Sequence, residues 1–491
     1  MKSTFLLAIA AMIVGCVEEQ AMKPIPDYPS ATELAAMLEA GDTTSVAIVS
    51  ELLRRAAVAD NLNAFITLDA DGAMNRAREL DEMRSQGNVL GPMHGIPLVV
   101  KDNIHVAGLK NTAGTPGLAD FTPAADSPAV AALRDAGAII LAKTNLHELA
   151  FGITSDNAAH GAVANPFDTS LFAGGSSGGT AAAISAGLAP AGLGTDTGGS
   201  ARIPAALTGV VGFRPSTDRY DSSAVTPISH TRDTVGIIAR TVADVVLMDQ
   251  VIEPGGASAA MKTPADIRLG VARDYYFENV DESLSVAVEA ALSKLRDAGV
   301  TLVEVEPGDV GALNTQSAFP IALYEVVADL PAYLDRYETG KDFAAIGAAA
   351  ASPDVQGLFQ MLGTVEGQVP EPVYANALSA REEMRGMFRE YFDENDLDGM
   401  IFPTTLLPAR PIEGSLQSVE LNGEQVPTFP TYIHNTDPAS IAALPGISLP
   451  IGLTAGGLPV GLEIDGPEGS DRNLLAVAAV LEEIFGFSAR P

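Results

Sequence analysis

Tryptophan is absent from this chain of 491 residues, and cysteine occurs once, as Cys16. Aromatic residues make up only 5% of the chain, so an apolar core has to consist mainly of aliphatic side chains. A single cysteine excludes an internal disulfide and a cysteine-based metal cluster. Basic residues are also scarce, with 29 Lys and Arg against 62 Asp and Glu and a net charge of −33. Such a surface repels phosphate groups, so nucleic acid is not an expected partner.

Long apolar runs are missing as well. No segment reaches the ~18 uninterrupted apolar residues that a membrane-spanning helix needs. A shorter apolar run at residues 5–14 follows Lys2. Its last two residues begin the sequence Ile-Val-Gly-Cys16. A basic start, a short apolar run and a small residue before a cleavage point are typical of a secretory signal. The sequence Ile-Val-Gly-Cys16 resembles the lipobox of bacterial lipoproteins, in which the cysteine is lipidated.

This resemblance implies a signal peptide at residues 1–15, lipidation of Cys16 and a tether at residues 16–29. The protein would then be anchored by its lipid in the cell envelope, at the outer membrane or facing the periplasm. An ordinary signal peptide with a chance cysteine is the alternative.

The rest of the chain alternates between two kinds of segment. Short, wholly apolar runs such as 96–100 and 138–142 are followed by amphipathic stretches such as 283–298. This alternation predicts an α/β protein whose sheet is covered by helices. Residues 30–491 are predicted to form one domain, with a helix-rich insertion at about 310–395.

Two clusters of glycine and serine interrupt this pattern, at residues 174–179 and 194–200. Glycine allows backbone N–H groups to approach a ligand closely, although either cluster alone is more typical of a turn. The first cluster also matches G-x-S-x-G around Ser176, the nucleophile elbow of another hydrolase class, for which His230 or His434 could serve as the base. That alternative leaves the second cluster unexplained.

Other site types fit less well. Neither cluster continues into the Gly-Lys-Ser/Thr of a phosphate loop, and no dinucleotide fingerprint follows the early strands. The six histidines lack the H-E-x-x-H spacing of a zinc site. We therefore expect neither a metal nor a cofactor.

The ordered combination is more specific than its parts. Val-Val-Lys-Asp-Asn at 99–103, followed by the two clusters, resembles the amidase signature family over nearly the whole chain from about residue 30. The resemblance implies an α/β fold with a central mixed, mostly covered β-sheet flanked by helices. It also implies an amide-hydrolysing enzyme that acts through a serine acyl-enzyme.

The family's catalytic trio carries over onto three residues of this chain. Ser200 corresponds to the nucleophile, Ser176 to a bridging serine and Lys101 to the base. A serine hydroxyl is a poor nucleophile unless a neighbour takes its proton, and Lys101 can do so only when neutral. The apolar run before Lys101 indicates the desolvated setting that would lower its pKa.

The resemblance also implies a cis peptide bond between Gly175 and Ser176. The backbone N–H groups of the glycine run would form the oxyanion hole, which stabilises the negative charge of the transition state. These four residues are Thr197, Gly198, Gly199 and Ser200.

Supporting positions are assigned to the loops rather than to substrate. Ser177 and Asp196 are expected to hydrogen-bond within them, because buried polar groups must be satisfied. Arg202 is expected to brace the nucleophile loop, and Asp102 and Asn103 to shape the turn after Lys101.

Within the family, several further stretches resemble indoleacetamide and mandelamide hydrolases, including residues 146–155, 227–234 and 435–438. This resemblance favours small primary amides of the arylacetyl type, which an apolar pocket would suit. Phe151, Ile153 and residues near His434 are candidate walls.

Two alternatives remain open. Export would expose the enzyme to peptides, which makes peptide C-terminal amides the second substrate class. A non-catalytic amide-binding lipoprotein is the other alternative, although all three catalytic positions are filled. The oligomeric state is also open, a homodimer included.

Overall fold

The computed structural model describes residues 22–255 and 260–491 of the chain. The predicted signal peptide, Cys16 and the first part of the predicted tether lie outside the described residues. No helix in the described part combines the length and apolar composition needed to cross a lipid bilayer.

The strands and helices are numbered in chain order. The strands are β1 (Phe65–Leu68), β2 (Pro97–Lys101), β3 (Ile139–Thr144), β4 (Ala164–Asn165), β5 (Asp168–Phe172), β6 (Ala191–Asp196), β7 (Val211–Arg214), β8 (Thr234–Ala239), β9 (Arg268–Val271), β10 (Thr301–Glu304), β11 (Gly399–Pro403), β12 (Ser418–Leu421), β13 (Glu424–Pro427), β14 (Gly446–Leu453) and β15 (Pro459–Asp465). The α-helices are α1 (Ala31–Glu39), α2 (Ser45–Val58), α3 (Ala70–Ser85), α4 (Pro128–Asp135), α5 (Gly178–Ser185), α6 (Arg202–Thr208), α7 (Val242–Ile252), α8 (Arg273–Tyr276), α9 (Glu282–Ala298), α10 (Val310–Arg336), α11 (Phe343–Ala349), α12 (Pro353–Leu362), α13 (Glu371–Asn395), α14 (Thr428–Ile433), α15 (Asp437–Ile441) and α16 (Asp471–Phe485).

One large sheet organises the molecule, with the strand order β1-β3-β2-β6-β8-β7-β14-β15-β11-β9-β10. Parallel pairs on either side, such as β2 with β3 and β9 with β10, flank an antiparallel centre. Strands β2, β3, β6 and β8 are buried along their whole length, as expected for largely apolar strands covered on both faces. The predicted mixed, covered sheet is confirmed.

The pairing of β2 with β6 brings distant segments together. The two strands are parallel, with Val99 opposite Gly192 and Val100 opposite Leu193. Because parallel strands end at the same edge of a sheet, Lys101 at the end of β2 lies beside Thr195 near the end of β6. The two glycine-serine clusters lie where β5 leads into α5 and where β6 leads into α6.

Residues 310–395 contain the long helices α10 and α13 and the shorter α11 and α12. The helix-rich content expected there is present, while its status as an insertion stays a prediction. These helices have apolar clusters separate from the main core, one of which packs Leu330 and Ile346 around Phe359. We call α10 to α13 the helical layer.

Candidate active site

Lys101 lies at the centre of the site with its side chain fully buried. Its Nζ is 2.7 Å from Ser176 Oγ and 2.7 Å from Thr195 Oγ1. Burial lowers the pKa of Lys101 from 10.5 to about 7, although the carboxylates of Asp196 and Asp233 act in the opposite direction. A large fraction of Lys101 is therefore neutral near pH 7 and can accept a proton.

Ser176 is positioned by its backbone. The Gly175–Ser176 peptide bond is cis, as the family resemblance implies. The carbonyl oxygen of Ser176 accepts hydrogen bonds from the His147 amide at 3.2 Å and from Ser155 Oγ at 3.3 Å. These contacts hold the residue while its hydroxyl faces Lys101.

Ser200 follows β6 on the loop before α6, and 8% of its surface is exposed. Its carbonyl oxygen accepts a 3.1 Å hydrogen bond from the Ser177 amide, which joins the two glycine-serine clusters. Ser200 also lines a cavity of about 280 Å³. The structure therefore presents this serine to the space where a small molecule would bind.

Three of the four predicted oxyanion donors face the same cavity. Thr197, Gly198 and Ser200 line it, and no acceptor among the described residues occupies their amide nitrogens. Gly199 differs, because its N–H donates to Asp196 Oδ1 at 2.8 Å. Its φ of +131° and the 2.1 Å that a Cβ would leave to Thr436 Oγ1 explain the need for glycine. In this structure Gly199 serves the loop rather than the cavity.

Asp196 and two arginines stabilise the nucleophile loop through buried hydrogen bonds. Asp196 accepts from Arg202 Nε at 3.0 Å, from Arg214 Nη1 at 3.0 Å and from the Ala201 amide at 3.1 Å. Burial alone would raise the pKa of Asp196, but the two guanidinium groups outweigh it and hold that pKa well below its usual range. Arg202 also pairs with Glu463. The loop thus rests on the ionised Asp196 and the two arginines paired with it.

The remaining supporting residues contact neighbouring loops. Ser177 Oγ donates to the Thr195 carbonyl at 3.2 Å. Asp102 accepts from the Thr112 amide at 2.9 Å and forms a buried ion pair with Lys143 at 3.1 Å. Asn103 Nδ2 donates to Thr195 Oγ1 at 3.1 Å, so it also supports the partner of Lys101.

The cavity beside Ser200 is mostly apolar. Its apolar lining includes Ala150, Phe151, Ile153, Phe319, Leu323, Leu358, Phe429 and Ile433. The charged groups in the wall are paired with other protein groups: Arg232 with Asp437, and Asp354 with His147 at 2.8 Å. Such a lining accommodates an uncharged apolar group next to the nucleophile.

The two histidines of the elbow alternative have other partners. His230 Nδ1 lies 3.0 Å from Asp329, and His434 stacks on Tyr275 with ring centroids 4.1 Å apart. Because the hydroxyl of Ser176 is hydrogen-bonded to Lys101, the geometry favours the lysine over either histidine as the base that acts on this serine.

One group of residues has metal-compatible spacing. Ligand atoms of His230, Glu325 and Asp329 lie within 4.8 Å of one another. Glu325 already accepts from Ser229 Oγ at 2.5 Å and from Tyr374 OH at 2.8 Å. Because protein donors use these oxygens, we assign no metal to the group.

Sequence reasoning missed Thr195 and Arg232. Thr195 lies inside the second glycine-serine cluster, but its contact with Lys101 depends on the pairing of β2 with β6. Arg232 lies in the 227–234 stretch, which was noted only for its resemblance to indoleacetamide and mandelamide hydrolases. Its contacts are formed across the fold, so no local signal marks them.

An enzyme that hydrolyses amides is the class that this fold and site define. The chain belongs to the amidase family, whose model, described as Amidase, matches residues 47–475. It is 42% identical to an indoleacetamide hydrolase of Agrobacterium vitis, covering 94% of this chain and 98% of that protein. It is also 42% identical to a mandelamide hydrolase of Pseudomonas putida, covering 94% and 92%. The solved native peptide amidase of Stenotrophomonas maltophilia superposes with a TM-score of 0.82 at 30% identity, covering 94% and 98%.

Proposed function

We propose that this enzyme hydrolyses small primary amides of the arylacetyl type to a carboxylic acid and ammonia. The observation that carries the proposal is the apolar cavity of about 280 Å³ that contains Ser200 and free backbone amides. This volume is just below the ~300–1,000 Å³ found for ligand pockets, which suits one aromatic group and a short acyl chain. The indoleacetamide and mandelamide hydrolases among its relatives support the same substrate class.

In the proposed mechanism, neutral Lys101 accepts the proton of Ser200 through the hydroxyl of Ser176. The Ser200 oxygen forms a bond to the amide carbon, and the carbonyl oxygen becomes an oxyanion that the amides of Thr197, Gly198 and Ser200 stabilise. When the C–N bond breaks, Lys101 returns the proton through Ser176 to the leaving nitrogen, and ammonia departs. Water then attacks the acyl-enzyme by the same proton route, which releases the acid and restores Ser200.

The test is ammonia release from a panel of indole-3-acetamide, mandelamide, phenylacetamide, acetamide and N-acetylphenylalaninamide. We expect the three aryl amides to give the highest kcat/KM. The highest value for the peptide amide would reject the arylacetyl class in favour of peptide C-terminal amides. No ammonia from any of the five would contradict the proposed substrate class.

We also propose that the protein is exported and anchored through lipidated Cys16. The support is the basic start, the apolar run at 5–14 and the Ile-Val-Gly-Cys16 sequence. Several acyl chains hold a protein stably at a membrane, whereas one chain holds it only marginally. The native protein should therefore enter the detergent phase of a Triton X-114 extraction, and Cys16→Ser should return it to the aqueous phase. A mature protein that lacks Cys16 and stays in the aqueous phase would contradict the anchor.

A further inference from the structure

The segment 228–233 lies between the nucleophile loop and the helical layer, and we call it the bridging segment. On one side it contacts Thr197 twice. Arg232 Nε donates to the Thr197 carbonyl at 3.1 Å, and Thr197 Oγ1 donates to Asp233 Oδ1 at 2.6 Å. Asp233 itself accepts from the Ile228 amide at 2.7 Å, which holds its carboxylate in place. The backbone and the side chain of Thr197 are therefore both held by adjacent residues.

On its other side the bridging segment contacts α10. Arg232 Nη1 donates to the Ala318 carbonyl at 2.8 Å, and the His230 amide donates to Asp329 at 2.9 Å. Ala318, Phe319 and Leu323 of α10 line the cavity beside Ser200. The same guanidinium group thus touches the wall of the cavity and the loop that carries the oxyanion donors.

These contacts determine where two backbone N–H groups point. In a trans peptide the carbonyl oxygen and the following N–H lie in one rigid plane and point in opposite directions. Because Arg232 holds the Thr197 carbonyl, the Gly198 N–H points away from Arg232. Because Arg214 Nη1 holds the Asp196 carbonyl at 2.6 Å, the Thr197 N–H points away from Arg214. Two arginines behind the loop orient two of the amides that face the cavity.

We infer that Arg232 is a positioning residue of the oxyanion hole and couples it to the acyl-binding wall formed by α10. Arg232 acts through Thr197 and Gly198, without contacting the reacting atoms itself. This inference rests on the proposed function, because it requires an oxyanion at the amides of Thr197 and Gly198.

A purely structural role for Arg232 is the competing explanation, since it forms a buried ion pair with Asp437. Removing one partner of such a pair leaves an uncompensated buried charge and destabilises the fold. The test therefore uses Arg232→Gln combined with Asp437→Asn, which removes both charges. The matched control is Arg219→Gln combined with Asp249→Asn, because this mostly buried pair at 2.8 Å does not contact the bridging segment.

The measurement compares two inhibitors of the full-length protein. Phenylacetaldehyde forms a hemiacetal with a nucleophilic serine and places its oxygen in the oxyanion hole, whereas 2-phenylethanol fills the acyl pocket without a carbonyl. We expect the Arg232/Asp437 variant to bind the aldehyde less tightly by on the order of 10²-fold, because small misplacements of catalytic groups have effects of that size. Binding of the alcohol and KM for phenylacetamide should change far less, while kcat falls with the aldehyde affinity. The control pair should leave the ratio of the two inhibition constants unchanged.

Arg232→Lys provides an independent variant with all buried charges retained. It keeps a cation beside Asp437 but loses the Nε–H that donates to the Thr197 carbonyl, so it decides the question if the double variant does not fold. We expect the same selective loss of aldehyde binding. An unchanged aldehyde-to-alcohol ratio in a folded variant, or equal weakening of both inhibitors, would overturn the positioning role. Wild-type protein that phenylacetaldehyde does not inhibit would instead overturn the proposed function.

Discussion

The edge of the central sheet and the helical layer contribute different properties to one cavity. At the sheet edge, Lys101 and Ser176 are completely buried and Ser200 is 8% exposed. In the helical layer, Phe319 is 49% exposed, and Val365 in the loop between α12 and α13 is 84% exposed. Hydrogen bonds and ion pairs hold the sheet edge, whereas the helical layer meets the cavity mainly with apolar side chains.

This difference separates the chemistry from the choice of substrate. A buried lysine and backbone amides act on any amide that reaches them, because they contact only the reacting atoms. Apolar side chains such as Phe319 and Leu323 line the cavity where the acyl group would bind, and they can be exchanged without altering the proton path. Substitutions at the sheet edge should therefore lower kcat for every amide, and substitutions in the acyl wall should change the ranking of amides.

The largest effect is expected at the nucleophile. Ser200→Ala should lower kcat by on the order of 10⁴-fold or more for all amides of the panel, because no other group then forms the acyl-enzyme. The melting temperature should stay close to that of the wild type. Ser185→Ala, which removes a buried hydroxyl bonded to the Thr208 carbonyl at 2.7 Å, is the control and should keep its activity. Activity of Ser200→Ala within tenfold of the wild type would favour Ser176 as the nucleophile.

The next effect concerns the base. Because the pKa of Lys101 is about 7 and only its neutral form accepts a proton, kcat/KM should rise with pH through one ionisation near 7. Lys101→Ala should abolish this rise and lower the rate by roughly 10²–10⁴-fold. The measurement is a pH–rate series on phenylacetamide.

The matching control replaces the two candidate histidines. His230→Gln combined with His434→Gln should keep the shape of the pH profile, since neither ring contacts Ser176. If the rise survives in Lys101→Ala and disappears in the double histidine variant, the base is a histidine and the lysine assignment is wrong.

A smaller and selective effect is expected in the acyl wall. Phe151 lines the cavity and packs edge-on against Phe359 of α12, with ring centroids 6.0 Å apart. Phe151→Ala should lower kcat/KM for phenylacetamide by about 10–100-fold, in line with ~1.5–3 kcal/mol for one buried apolar side chain. Acetamide hydrolysis should change little, and Val365→Ala on the exposed surface should affect neither substrate. Equal losses for both amides would break the proposed division between chemistry and substrate choice.

The smallest effect is on stability and has a defined sign. The pKa of Lys101 falls from 10.5 to about 7 on folding, so the unfolded chain binds more protons between these values. The wild-type free energy of unfolding therefore rises with pH across this window. Lys101→Met removes the buried amine and should stabilise the protein at pH 6, with a gain that disappears toward pH 10.5. Urea unfolding at pH 6 and pH 9 measures the difference, and a gain that grows with pH would contradict the lowered pKa.

Much of the fold was predictable because its signals are local. The apolar run before Lys101 forms β2, and Ser30, a residue type that favours helix starts, caps α1 by accepting from the Glu33 amide at 3.0 Å. Strand β8 was missed, although Thr234–Ala239 is buried along its whole length. Its start lay in a stretch interpreted only through a family resemblance, and its place between β6 and β7 follows from pairing across the sheet.

The candidate site shows the same division. The order of Lys101 and the two glycine-serine clusters indicated which residues meet, because the resemblance depends on that order. It did not indicate that the Gly199 N–H turns to Asp196, or that Thr195 supports Lys101. Each of these contacts depends on angstrom-scale placement, which no spacing of residue types encodes.

The sequence by itself determined the residue types that this chemistry needs, which are serines between glycines and a lysine at the end of an apolar strand. It also determined that basic residues are few. The tertiary structure decided the protonation of Lys101 and the direction of the amides beside Ser200. The physical reason is that a pKa depends on the total burial around a group, and an N–H direction on what holds the neighbouring carbonyl. The surroundings of Lys101 and Thr197 come from the segments around residues 101, 195 and 232. These segments are far apart in the sequence and meet only in the folded protein.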